Sequence, residues 1–429
     1  MRKKLSKLIS KLRRDIRGNV LIVAAISGAA TVGAAGLGVD TVQWFLAKRQ
    51  LQQAVDSGAL AGAMSLYRGD GITAPAENSI DRNFPDAVTI ERIVSPPTVG
   101  AWAGDASAVE VQGFVNRKLP FSSIFLETTP VIRARAVATT VAAGQPCVIA
   151  TATSGIGIKV FGTADVDLDC PVASNSPDGI SVDLTGSSFL DTNMIMSVGG
   201  VDYSSSNIPG DTAVVSYGLP VEDPLASKGL TPPTNPAGCD YNNFNVSPSS
   251  TVTLNPGRYC NGLRIQGTAR LNGGIYIIDR GTLRVNSGAV VELAGTGGVT
   301  FVLTGNSSST VADVNINGSA TIDLAAPTQA EASTAPFNDA NWAGILFFQD
   351  PLGDGTQHTF NGGADIDLNG IIYMPTGELL YNGSASQSAQ CLLLIGEVVE
   401  FGGTNNIANN CNDDIDRNLA TAWVIRVVE

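Results

Sequence analysis

Residues 274–303 read GIYIIDRGTLRVNSGAVVELAGTGGVTFVL: short β-rich runs, bounded by Gly or Asn, with a turn between one run and the next. Val, Ile, Tyr and Phe suit extended backbone, and Gly and Asn suit the turns. The same texture runs from Cys147 onward. Gly157–Gly162, Ala164–Leu168, Gly179–Leu184 and Gly262–Gly267 precede the quoted stretch; Ala320–Leu324, Ala343–Phe348, Asp365–Tyr373 and Cys391–Ile395 follow it. No such run can hold a core alone, but runs stacked in parallel bury a continuous one. The pattern predicts a right-handed parallel β-helix-like solenoid, with a β-sandwich as the alternative.

Two stretches break the pattern. Residues 219–250 carry Pro220, Pro224, Pro232, Pro233, Pro236 and Pro248 and read as a long irregular connection; Ala326–Asn341 reads as an inserted loop. Six cysteines fall in three local couples: Cys147 with Cys170, Cys239 with Cys260, and Cys391 with Cys411. Sequential disulfides in an oxidising compartment are the simplest reading. No couple has metal-ligand spacing and the chain has 1 His, so neither metal nor cofactor is expected.

The N-terminal region is of another kind. Residues 19–39, NVLIVAAISGAATVGAAGLGV, hold no charge and are long enough to cross a bilayer. Arg2, Lys3, Lys4, Lys7, Lys11, Arg13, Arg14 and Arg17 precede them against the single acid Asp15. That asymmetry predicts a cytoplasmic N-terminus, with the bulk of the chain periplasmic or at the cell surface. A retained anchor is expected rather than a cleaved signal peptide, whose apolar region is shorter. The formal net charge of −13 excludes nucleic acid as a partner, since phosphate binding needs a basic surface. Helical periodicity continues past Asp40 through Trp44, Leu51, Val55 and Ala59, so one helix is predicted from about Gly18 to Tyr67, ended by Gly69-Asp70-Gly71. Ala25, Ala29 and Gly33, and Gly58 and Gly62, recur four apart and are candidates for helix packing against partner subunits.

Alternation over Ala108–Val115 and Val131–Val141 predicts two strands, with a short helix or turn at Phe121–Leu126. Packed on the exported half of the helix, they would make a pilin-like α+β module. Asp165, Asp167 and Asp169 alternate along one run, and Asp365 and Asp367 along another. Period two points them outward as a solvated face; calcium binding or glycoside hydrolysis by a carboxylate pair is the rival reading. His358 lies in a turn-rich stretch and reads as a surface residue. No catalytic residue is assigned, and the chain is expected not to be an enzyme.

Arg17-Gly-Asn-Val20, Gly36-Leu-Gly-Val-Asp40, Trp44, Lys48-Arg49-Gln-Leu-Gln-Gln-Ala54 and Asp56-Ser-Gly-Ala-Leu-Ala-Gly-Ala63 together resemble the TadE/TadG-like N-terminal module of the Flp (tight adherence, Tad) pilus apparatus. The β-rich part resembles the ectodomain often joined to it in TadG-like proteins, through Cys147-Val-Ile-Ala150, Asp169-Cys-Pro171, Asn175-Ser176, Val221-Glu-Asp-Pro-Leu225, Leu254–Cys260, Asn272–Ile277, Gly298–Gly305 and Gly370-Ile-Ile-Tyr-Met-Pro375. Two features depart from related patterns. Val23 stands where a prepilin has Glu, and Asp105-Ala-Ser107-Ala-Val109 lacks the last Ser of a von Willebrand factor A metal motif. The resemblance implies a membrane-anchored, non-enzymatic accessory or minor pilin-like component of Tad pilus assembly that supports surface attachment. Its partners would be the inner membrane, other Tad subunits or assembly proteins, and a surface or glycan ligand. The alternative is an anchored β-helical polysaccharide-binding or polysaccharide-cleaving envelope protein. The expected domains are a basic tail (1–18), a transmembrane helix (19–39), the helix continuation with its module (40–146) and the disulfide-stapled ectodomain (147–429).

Overall fold

The computed structural model describes residues 18–124, 128–233, 238–362, 366–385, 391–407 and 420–429. The basic residues of the tail, Asp365 and Cys411 lie outside these. The chain forms two compact units: residues up to Val141 together with Ile425–Glu429, and Ala142–Val424. The last five residues thus belong with the N-terminal unit rather than with the rest of 147–429.

The first unit is built on helix α1, Gly18–Tyr67. Gly69, at φ +77°, ends it in the left-handed conformation that glycine adopts readily. Helix α2, Thr73–Asn83, follows; then come strands β1 (Thr89–Val94), β2 (Ala108–Asn116) and β3 (Val131–Gly144). β1 pairs antiparallel with β2, and β2 with β3. The sheet order is β1, β2, β3 and then the late strand Ala422–Val427. Leu51, Ala54, Val55 and Ala59 of α1 are buried against Ala76 and Ile80 of α2 and against Val109, Val111, Ile132 and Ala134 of the sheet. The helical spacing of those α1 residues puts them on one face, which is why the C-terminal half of α1 acquires a partner. α2 and β1 went unread in the sequence. α2 is short and carries Pro75 in its first turn, where a missing N–H costs little.

The second unit is a stack of parallel strands, mainly β and roughly solenoid-like. Parallel pairing is not what a sandwich of antiparallel sheets uses. The order of stacking differs from the order in the chain. Val148–Ala150 pairs on one side with Val172–Ser174 and on the other with Leu394–Gly396, part of the strand Leu392–Ile407. From there the chain builds outward through Met194–Ser197 to Ala213–Val215. It resumes at Tyr241–Val246 and stacks Gly257–Ile265, Gly274–Asp279, Val299–Thr304, Ile345–Gln349 and Ile366–Ala385 in turn, back to Leu392–Ile407. The Pro-rich connection therefore joins opposite ends of the stack.

Inside the stack, Tyr241, Tyr259, Tyr276, Phe301, Phe347, Phe360, Tyr381 and Phe401 form a continuous aromatic row, with neighbouring centroids 4.5–6.4 Å apart. Five of the seven steps join register partners, whereas Tyr259 and Phe347 are paired in register with Ile278 and Ile372; aromatic pairs at this spacing attract beyond their burial.

Candidate functional site

α1 has two contrasting halves. From Val23 to Leu46 only Gly36 and Asp40 are buried. Val23, Ile26, Val32, Leu37, Val39, Val42, Phe45 and Leu46 are all exposed. The helix is long and apolar enough to cross a membrane. Trp44 is exposed beside Phe45, and the buried row begins at Ala47.

The two buried residues meet the turn between β2 and β3. A Cβ on Gly36 would lie 2.6 Å from Phe121 Cδ1, so only glycine lets the ring lie on the helix. The Asp40 carboxylate accepts from the Phe121 N–H at 3.2 Å and from both the N–H and the hydroxyl of Ser122. The Gly36-Leu-Gly-Val-Asp40 motif thus holds this turn. Further along, Lys48 Nζ donates to the Arg133 carbonyl, and Gln52 Nε2 donates to the Arg135 carbonyl at 2.7 Å and to Asp56 Oδ1 at 2.8 Å. These polar residues tie the helix to the backbone of β3.

Of the small-residue candidates, Ala25, Ala29 and Gly33 lie on the exposed half, and nothing lies within 4 Å of where a Gly33 Cβ would be. Gly58 and Gly62 face inward. A Cβ on Gly58 would come within 2.7 Å of Ile80 Cγ1, and one on Gly62 within 3.0 Å of Val109 Cγ1. Both therefore pack α1 on its own α2 and β2. The four-residue period alone does not reveal what the face meets.

An ion cluster around the buried Glu110 ties the module together, and alternation gave no signal for it. Glu110, fully buried in β2, accepts from Arg135 Nε at 2.9 Å and from the Thr98 N–H at 3.0 Å. Arg135 Nη1 also donates to Glu429 at 2.6 Å, and Glu429 accepts from the Ala101 N–H at 2.5 Å. Burial pushes the Glu110 carboxyl up, but the Thr98 and Arg135 donors outweigh it and hold it below the usual carboxylate range.

In the second unit, Cys147 is bonded to Cys170 and Cys239 to Cys260, with Cα separations of 5.8 and 5.7 Å. Cys391 is disulfide-bonded as well. Each loop of about 20 residues so closed is worth roughly 3 kcal/mol in the chain-entropy account. Asp279 approaches Cys239 and Cys260, but sulfurs joined in a disulfide are not thiolate ligands. Asp165, Asp167 and Asp169 are exposed while Val166 and Leu168 are buried, as alternation requires. The register stacks acid on acid: Asp167 beside Asp191, Asp183 beside Asp202, and Asp323 beside Asp367. Asp167, Asp169, Asp191 and Asp211 line an open cleft of about 340 Å³.

His358 is not a surface residue. It lies in the strand Thr356–Gly362, is fully buried level with Leu379, and accepts from the Val314 N–H at 3.3 Å. Burial brings its pKa down to about 3, so it stays neutral. The turn-rich neighbours of His358 concealed its place on the inner row of a strand.

Three residue groups of the ectodomain resemblance meet around the long connection. Asn175 Nδ2 donates to the Val221 carbonyl at 2.8 Å and Asn175 Oδ1 accepts from the Val221 N–H at 2.9 Å. Tyr373 Oη donates to Asp223 at 2.7 Å. Val221 and Leu225 are buried, so Val221–Leu225 fastens the connection to the stack.

A chain with one bare apolar helical segment continuing into a compact α+β module has the form of a single-pass membrane-anchored protein. Residues 18–65 match the family described as putative Flp pilus-assembly TadE/G-like. The chain therefore carries a TadE/G-like module, which supports a Tad-pilus-associated role and association with pilus components and a membrane. No curated protein and no solved structure matches the chain.

Proposed function

We propose that this protein is a non-enzymatic, TadG-like accessory or minor pilin-like component of Tad pilus assembly, supporting surface attachment. It is held in the inner membrane by one span with its N-terminus in the cytoplasm, and its second unit is a right-handed parallel β-helix. The observation that carries this reading is that the TadE/G-like match coincides with α1, whose first half is bare and apolar and whose second half is built into a module. The basic residues before the span favour the orientation. Asp167, Asp183 and Asp367 stack beside like acids, Asp191, Asp202 and Asp323, rather than as a differentiated acid and base, which favours a structural role over hydrolysis. Ala25, Ala29 and Gly33 are the remaining candidates for packing against other subunits.

The test compares cells carrying the full chain with cells in which a short flexible linker replaces residues 142–424, keeping Ile425–Glu429. With the variant stable in the membrane fraction, loss of sheared fibres makes the second unit part of assembly. Normal fibres with lost attachment make it the adhesive part. Unchanged fibres and attachment would sink the proposal. Gly33→Leu is expected to reduce piliation without lowering the membrane level of the protein.

A further inference from the structure

We propose that the turn Pro120–Ile124 is a second membrane contact, entering the lipid interface on the exported side beside the exit of α1. This rests on the reading of α1 as a membrane span. Two contacts fix the level of the turn. The Phe121 ring lies against Gly36, and Asp40 accepts from the Phe121 and Ser122 backbone N–H groups and the Ser122 hydroxyl. Gly36 lies inside the uncharged run that ends at Val39. At a rise of about 1.5 Å per residue, it sits roughly 6 Å deeper than Asp40. A bilayer that covers residues 19–39 therefore also reaches the Phe121 ring.

The surface at that level has the composition of an interface. Ile124 is 72% exposed and Phe121 37%, while Val39, Val42, Trp44 and Phe45 are exposed on the neighbouring turns of α1. Exposed apolar groups with a tryptophan, contiguous with a span, fit the headgroup boundary. The same geometry explains a buried acid at the membrane edge. The turn supplies Asp40 with three donors in place of water, without which a carboxylate there would be costly.

The test uses the full chain in phosphatidylcholine vesicles, with a nitrobenzoxadiazole probe on a single added cysteine and no reductant, so that the native disulfides stay closed. Ile124→Cys is the reporter, Ala29→Cys reports the span, and Arg68→Cys lies more than 30 residues beyond Gly36. The Ile124→Cys probe is expected to lose roughly half its emission to a lipid carrying a nitroxide near the headgroup. The Ala29→Cys probe should respond to a nitroxide deep in the chains, and the Arg68→Cys probe to neither. Quenching at Ala29→Cys with none at Ile124→Cys overturns the second contact and leaves the anchor standing; quenching at neither overturns both. An Ile124→Cys probe that is shielded from aqueous iodide yet untouched by lipid nitroxides points to a protein cover and also overturns the proposal. Adding Asp40→Ala should weaken quenching at Ile124→Cys and leave Ala29→Cys unchanged.

Discussion

At Gly58 a single methyl group decides whether α2 can pack. The added Cβ would stand 2.7 Å from Ile80 Cγ1 and 3.2 Å from the Ala76 carbonyl oxygen, and Ile80 is fully buried. Gly58→Ala is expected to destabilise the first unit by about 1–3 kcal/mol through overpacking. Gly33→Ala, with open space around it, should leave the denaturation midpoint in detergent unchanged. Equal midpoints for the two variants would refute the packing argument. Tyr373 is a second case. Burial first, and then the neighbouring Asp223, hold its hydroxyl above the usual phenol range, so it remains a donor. Tyr373→Phe removes a hydrogen bond to a charged acceptor, worth about 1.5 kcal/mol. Faster hydrogen exchange at the Leu225 amide would register the loosened connection, and an unchanged rate would argue against it.

Among the elements, β2 and β3 respond to acid in the opposite sense to the stacked strands of the second unit. Arg135 first, and then the Ala101 N–H, hold Glu429 below its ordinary value of 4.5, and Glu110 also lies below 4.5. The stability they contribute is complete above 4.5 and is lost as pH falls through the lowered values. Asp167, Asp183 and Asp367 lie above their ordinary 3.8, through burial first and then through the acids stacked beside them. Their repulsion is present at neutral pH and is relieved as pH falls through the raised values. Hydrogen exchange on acidification, corrected for intrinsic rates, should therefore loosen at Val109–Val111 and tighten around Leu168 and Leu184. Parallel changes in both regions would contradict the assignment. The alternation of Val166 and Leu168 with the acids was legible in the sequence, because period two sorts faces whatever the neighbours are. The pairing of Asp167 with Asp191 was not, because register between strands is set by stacking.

For the whole molecule, topology brings into the first unit residues more than 280 positions further along the chain. Val137 and Glu429 exchange backbone hydrogen bonds, at 2.8 Å from the Val137 N–H and 3.4 Å in return. The Glu429 carboxylate completes the Arg135 cluster. A chain cut after residue 141 should consequently resist protease less well than one in which a short linker joins Val141 to Ile425, although both lack the second unit. Equal resistance would mean that the late residues add nothing to the module.

The sequence by itself determined the extent of α1, the apolar span, the division between a helical opening and a strand-stacked remainder, and two cysteine couples. Each of these depends on composition or on a local period. Only the tertiary structure decided that Gly58 and Gly62 pack inward, that His358 is buried, that Phe121 meets Gly36, that the second unit begins in the middle of its own stack and that the chain returns to its first sheet. These outcomes depend on which distant surface each face meets. Burial selects that partner from the whole fold, and a local pattern carries no record of it.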